Sequence, residues 1–275
     1  MIISKTPFRI SFFGGGTDYP DWYMNHKGAV LATAINKYCY ISCRYLPPFF
    51  NYKHRIVYSK VEMVQSKDDI QHPAVRAALN FLGINEGLEI HHDGDLPART
   101  GLGSSSSFTV GMLNALYALK NKIVSSRQLA HEAIHLERNV LKECVGSQDQ
   151  MIASTGGFKK FEFSYDQDIS ETPILLPPER LQELQDHLML FFTGIQRFAS
   201  DISKANIKNI PKKEKEFKAI YQMVDESLDI LTGDSPLAEF GKLLHESWKI
   251  KRSLSDMVTT PHIDKIYEAA IKGGA

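Results

Sequence analysis

Four short stretches of this chain bring together residue types that can do chemistry. The first is Leu96-Pro-Ala-Arg-Thr-Gly-Leu-Gly-Ser-Ser-Ser-Ser107. Gly101 and Gly103, on either side of Leu102, let the backbone adopt positive φ and come close to a ligand. Ser104, Ser105 and Ser106 follow, and then Phe108, Val110, Met112, Leu113, Leu116 and Leu119 recur at helical spacing. A glycine loop that runs straight into a helix offers unpaired N–H groups and the positive end of the helix dipole, a setting suited to a polyphosphate. The serines add hydroxyls for phosphate oxygens or a metal ion. The chain lacks Gly-x4-Gly-Lys-Ser/Thr, so this is not the common phosphate loop. The competing reading is a Gly/Ser linker, which would not be expected to enter an amphipathic helix without a break.

The other three stretches are each ambiguous alone. Gly146-Ser-Gln-Asp-Gln150 puts Asp149 at a predicted helix start, where an acidic residue also simply favours the dipole. Glu137 lies twelve residues earlier on a predicted helix, and by itself reads as a solvated surface carboxylate. Arg9 sits in an otherwise apolar strand candidate, where an isolated charge must be exposed or paired. Asp18 follows Gly14-Gly15-Gly16, which either lets a carboxylate reach into a cleft or makes a plain tight turn.

The elements that must position these groups can be read in outline. Residues 2–13 predict a strand broken near Pro7, 29–46 a second strand and 88–96 a third. Pro73 predicts the first turn of a helix over 74–82, stopped by Gly83. Helices are predicted after 107, over 126–142 and over 147–153, then a strand over 158–163. The apolar run Leu188-Met-Leu-Phe-Phe-Thr193 predicts a buried strand, and 198–209, 213–232 and 237–256 predict helices. Strands dominate early and helices late, so the fold class is expected to be α+β rather than a doubly wound sheet.

Composition narrows the function. The 275 residues carry 32 Lys+Arg and 32 Asp+Glu, which argues against a broadly basic nucleic-acid binder. No apolar run approaches the about 20 residues of a membrane span, and the N-terminus has no secretory pattern. Cys39, Cys43 and Cys144 are too few for a disulfide framework and are expected as free thiols in a cytoplasmic protein. Partners are therefore expected to be small molecules, with no nucleic acid and no membrane. A homodimer is compatible with the sequence.

Taken together, the motifs carry a resemblance. Pro7-x-Arg9-x4-Gly14-x2-Thr17-Asp18-Tyr19 resembles the first motif of galactokinases. Pro97-x3-Gly101-Leu-Gly-Ser-Ser105 resembles the ATP-binding motif of the GHMP kinases, the superfamily of galactokinase, homoserine kinase, mevalonate kinase and phosphomevalonate kinase. Gly146-x2-Asp149-Gln150 resembles the catalytic-aspartate segment of that superfamily. The three occur in the family's order across roughly residues 1–200. Within it, Gly-Gly-Gly-Thr-Asp-Tyr, Thr-Gly-Leu-Gly-Ser-Ser-Ser-Ser and Glu-Arg-Asn-Val-Leu-Lys-Glu-Cys-Val-Gly-Ser-Gln-Asp-Gln most resemble D-glycero-D-manno-heptose 7-phosphate kinases.

The resemblance implies a two-domain fold. Residues 1–170 would form a ribosomal-S5-like ATP-binding domain and residues 171–275 an α+β C-terminal domain. It implies ATP and Mg²⁺ as cofactors. Gly101, Leu102, Gly103, Ser104, Ser105 and Ser106 would cradle the phosphates, and Ser105 and Glu137 would hold the metal. Asp149 would orient or deprotonate the acceptor hydroxyl, with Arg9 paired to it. Asp18, Gly15 and Gly16 would face the sugar. Arg197, after the predicted strand 188–193, is the candidate for an acceptor phosphate. The implied reaction is phosphoryl transfer to the anomeric hydroxyl of a heptose 7-phosphate, in the making of lipopolysaccharide or capsule precursors. The alternatives are a kinase for L-fucose or a galactose-like sugar, or an inactive nucleotide-binding regulator. Two departures matter. Galactokinases carry Glu-His before Thr-Asp-Tyr, where this chain has Gly15-Gly16, which opens space and disfavours galactose. The family's third glycine-rich motif is absent before Ile271-Lys-Gly-Gly-Ala275, so the C-terminal domain is expected to be incomplete.

Overall fold

The computed structural model describes residues 1–166, 168–195 and 199–275. In chain order they form β1 (Ile2–Phe13), α1 (Pro20–Tyr23), β2 (Gly28–Tyr45), β3 (His54–Val57), β4 (Val61–Val64), α2 (Pro73–Phe81) and β5 (Leu88–Gly94). Next come α3 (Ser104–Leu119), α4 (Ser126–His135), a π-helical turn (Leu136–Val140), α5 (Gln148–Thr155), β6 (Phe158–Phe163) and β7 (Ile169–Pro173). The rest is helical: α6 (Pro178–Asp186), α7 (Ala199–Asn209), α8 (Glu214–Thr232), α9 (Ala238–Arg252) and α10 (Pro261–Lys272). The α+β expectation holds.

The chain divides into two compact units, one of residues 1–10 and 34–157, the other of residues 11–33 and 158–275. In the first, strands are ordered β4-β3-β5-β2. β5 runs antiparallel to the C-terminal half of β2, from Cys39↔Gly94 to Tyr45↔Leu88, and parallel to β3 through Ile56↔Ile90. Alternation along these strands turns Cys39, Ile41, Cys43, Ile56 and Ile90 to one face. There they pack with Leu79, Leu113, Leu116 and Leu136 from the helices. The Cys39 and Cys43 thiols are free and buried, as expected, and burial pushes them up to about 12 and about 11. β1 continues through Pro7, where a break is predicted. Among the described strands it pairs only with β2, and an edge strand tolerates a residue without an N–H.

In the second unit the N-terminal half of β2 pairs with β6, from Gly28↔Phe163 to Thr33↔Phe158, and β6 pairs with β7. Aromatic contacts hold the helices on: Phe12 and Phe13 meet Phe240 edge-on, and Trp22 stacks on Phe217 at 5.1 Å. The predicted strand at 188–193 is a correction. Leu188, Met189, Leu190, Phe191 and Phe192 are exposed and outside any strand. Apolar residue types favour burial, but a strand also needs a neighbour to pair with, and none of the described strands lies beside this segment. No helix among the described residues is long and apolar enough to cross a membrane.

Candidate active site

The glycine loop is built as the residue types require. Gly101 and Gly103 have φ of 79° and 74°, the left-handed region that glycine enters without strain. Gly103 is the cap residue from which α3 starts, so Ser104, Ser105 and Ser106 occupy the first turn, where backbone N–H groups have no helical partner. The sixteen residues of α3 bury Phe108, Val110, Met112, Leu113 and Leu116, which anchors the loop to the core of the first unit. The loop is therefore a continuation of a packed helix and not a linker.

Arg9, the charge in the apolar strand, is paired. Its Nε donates to Asp149 Oδ1 and its Nη2 to Asp149 Oδ2, both at 2.8 Å, a bidentate geometry that fixes both groups. Its Nη1 donates to the Gly101 carbonyl at 2.6 Å, and its backbone N–H to the Leu102 carbonyl at 3.1 Å. One side chain thus ties the glycine loop to the start of α5. Gly103 lies so close that a Cβ there would sit 3.2 Å from Arg9 Cγ and 3.4 Å from Asp149 Oδ2. The Asp149 side chain keeps 26% of its surface exposed, so a ligand can reach it. A carboxylate held in place, reachable and beside a glycine loop at a helix start can accept a proton or a hydrogen bond from a hydroxyl.

Glu137 is buried, not a surface carboxylate. It sits on the π-helical turn after α4, a local widening of the kind that recurs at functional sites. Its Oε2 accepts from Ser106 Oγ at 3.0 Å and from Gln150 Nε2 at 2.5 Å, while Oε1 is buried with no hydrogen-bond partner. Burial pushes the carboxyl up to about 7, against the pull of the Thr109, Gln150 and Ser106 side chains. An orphaned carboxylate oxygen beside a serine-lined helix start fits Mg²⁺, which is commonly held by one or two carboxylates plus substrate phosphates. The serine that meets Glu137 is Ser106; Ser105 is exposed in the same turn of α3.

The remaining candidates belong to the second unit. Asp18 is buried, and its Oδ1 accepts from the Gly16 backbone N–H at 2.9 Å, while the Thr17 N–H donates to the Gly14 carbonyl at 2.9 Å and closes the turn that contains Gly15. Gly14 is obligatory there: at φ 82° a Cβ would lie 1.9 Å from the Ala29 carbonyl oxygen. Arg197 lies outside the described residues.

Sequence reasoning gave no role to Gln150 or to the Gly101 carbonyl. Gln150 had a usable signal: it neighbours Asp149 on a helix, so the two side chains must face different ways.

The chain is similar to several known proteins. Residues 70–157 match the family described as GHMP kinases N terminal domain. Over all of its length the chain is 28% identical to the D-glycero-alpha-D-manno-heptose 7-phosphate kinase of Campylobacter jejuni, covering 84% of that protein. It is 22% identical over 96% of its length to 27% of the bifunctional fucokinase/GDP-fucose pyrophosphorylase of Arabidopsis thaliana. Among solved structures, a D-glycero-D-manno-heptose 1-phosphate kinase from Bacteroides thetaiotaomicron shares the fold, with a TM-score of 0.76 and 23% identity over 92% of this chain and 79% of that one. The glycine loop, Glu137 and Asp149 all lie in the segment that matches the GHMP kinase N-terminal domain, in line with the resemblance drawn from the motifs.

Proposed function

We propose that this GHMP-type sugar kinase transfers the γ-phosphoryl group of ATP to the anomeric hydroxyl of a heptose 7-phosphate. The observation that carries the reading is the bidentate Arg9–Asp149 pair locked against the glycine loop at the start of α3. A reachable carboxylate beside a glycine loop that opens a helix supports this reading, since transfer between a polyphosphate and a hydroxyl needs both an anion site and a proton acceptor. The choice of acceptor is supported by the heptose 7-phosphate kinase that the chain matches from end to end, and by Gly15-Gly16, which leave room at the sugar motif.

The roles follow from chemistry. Backbone N–H groups from Gly101 to Ser106 bind phosphate oxygens. Asp149, oriented by Arg9, accepts the hydrogen bond of the acceptor hydroxyl and takes its proton as the new P–O bond forms and the bond to the ADP oxygen breaks. Glu137 and Ser105, with Ser106 beside them, hold Mg²⁺, which offsets negative charge on the transferring group when bound. Asp18, Gly15 and Gly16 serve the sugar. Arg197 serves its phosphate, and residues 1–170 carry the nucleotide chemistry.

A panel of sugars and sugar phosphates, followed by Mg²⁺-dependent ADP release, tests the reading. The largest kcat/KM is expected with D-glycero-D-manno-heptose 7-phosphate. A preference for unphosphorylated L-fucose or galactose would replace the acceptor. Nucleotide binding without turnover on any acceptor would favour the regulator.

A further inference from the structure

The start of α5 presents two adjacent residues to two different carboxylate tasks. Consecutive helical residues project about 100° apart. Asp149 therefore meets Arg9, while Gln150 turns inward and is completely buried. Its Nε2 reaches Glu137 Oε2 at 2.5 Å, the oxygen that also accepts from Ser106 at 3.0 Å. Glu137 Oε1 is left without a hydrogen-bond partner: the Thr109 hydroxyl is near enough to pull on the carboxyl, but it donates to the Ser105 carbonyl at 3.2 Å. One oxygen is thus doubly committed and the other is not. A carboxylate pinned this way cannot exchange its two oxygens by rotating about its last bond without breaking both hydrogen bonds.

We infer that Gln150 is a positioning residue, which pins Glu137 through Oε2 so that Oε1 is the oxygen offered to the divalent cation of the bound nucleotide. The inference rests on the proposed role of Glu137. It assigns the two halves of the chemistry to one helical turn: Asp149 on the acceptor side, and Gln150, through Glu137, on the cation side. A group that orients a metal ligand without touching the metal typically contributes about ten- to a hundredfold in metal affinity.

The test is binding without turnover: ADP affinity by calorimetry with and without Mn²⁺, and Mn²⁺ bound to the protein–ADP complex by electron paramagnetic resonance. Gln150→Met keeps the length and loses the donor. It is expected to hold metal-free ADP within about twofold of wild type and to weaken Mn²⁺ binding about tenfold. Gln150→Asn, one methylene short, is expected to show the same loss, and is read in its place if the Met variant does not melt cooperatively. Unchanged Mn²⁺ binding in a folded variant, or an equal loss of ADP affinity with and without metal, overturns the inference. Glu137→Gln separates the two layers. If it leaves Mn²⁺ binding intact, Glu137 is not the cation ligand and the proposed role fails. If it abolishes Mn²⁺ binding while both Gln150 variants retain it, only the positioning role fails.

Discussion

Glu89 and Glu137 are both buried in the first unit, and the fold treats them in opposite ways. Glu89 sits on β5 opposite Arg44 on β2 and Arg55 on β3, with His91 two residues on along the same face. Arg44 Nε donates to its Oε2 at 2.7 Å, Arg55 Nη1 to its Oε1 at 2.8 Å, and His91 Nε2 lies 3.0 Å from Oε1. The bond to His91, and then those from Arg44, hold its carboxyl at about 2 against the effect of burial. Glu137 has neutral hydrogen-bond partners, and among the described residues none of the ion pairs involves it. Where a charge serves the fold, the fold supplies the counter-charge. Glu137 is given none, and in the proposed site a cation from outside would supply it. Asp149 lies between the two: it has its own cation in Arg9, but is open enough to meet a ligand.

The largest effect is expected at that intermediate case. Asp149→Asn should lower kcat by at least about a hundredfold, the low end for removal of a general base, with ATP affinity within a fewfold. A nearly normal kcat would return Asp149 to the bland role of an acid at a helix start. Arg9→Met should lower kcat in the same direction, because the carboxylate loses its two-point grip and the loop loses the bond to Gly101.

The two buried carboxylates should also leave opposite marks on stability. A carboxyl raised in the folded state favours folding while it is neutral. Glu137 therefore contributes stability in full below about 4.5 and loses it as pH rises to about 7, at ~1.4 kcal/mol per pH unit across that window. Glu89 is lowered, so its contribution is present above about 4.5 and is lost as pH falls through about 2. Urea unfolding of the metal-free protein between pH 4 and 8 should show the Glu137 loss as a shift in midpoint that is absent from Glu137→Gln. A parallel pH profile in that variant would show that another group is responsible.

Glycine substitutions give a smaller effect within the loop itself. Gly101→Ala and Gly103→Ala should each cost about 1–2 kcal/mol for a left-handed residue with a Cβ. At Gly101 that Cβ meets nothing within 4 Å, whereas at Gly103 it presses on Arg9 and Asp149. Only Gly103→Ala should also lower kcat. Equal kinetics in the two variants would detach the loop from the Arg9–Asp149 pair.

Much of this could be read from the sequence where one signal is local. The Gly/Ser loop entering α3, Pro73 opening α2 and the helices 199–209, 214–232 and 238–252 all follow from punctuation and periodicity. The π-turn under Glu137 lay inside the predicted 126–142 helix, because one extra residue in a turn leaves the apolar pattern almost unchanged. β3, β4 and β7 have four or five residues, too few for an alternation to stand out. Arg9 had to be exposed or paired, but its partner is 140 positions away, and only the family motifs brought Asp149 to it. The Glu89 cluster depends on the register of three strands, and the 2.5 Å contact of Gln150 with Glu137 depends on how α5 packs against the π-turn. Neither is written in residue types.

The most direct test of the contrast is urea unfolding of Glu137→Gln and Glu89→Gln beside wild type, metal-free at pH 8. The same loss of charge should act with opposite sign. Glu89→Gln should unfold at lower urea, by about 1 kcal/mol, since its half-exposed arginines are partly screened. Glu137→Gln should unfold at higher urea than wild type, because a neutral isostere no longer buries a charge. Destabilisation of both variants would contradict the account, since it would mean that the fold already stabilises a charged Glu137 without a cation from outside.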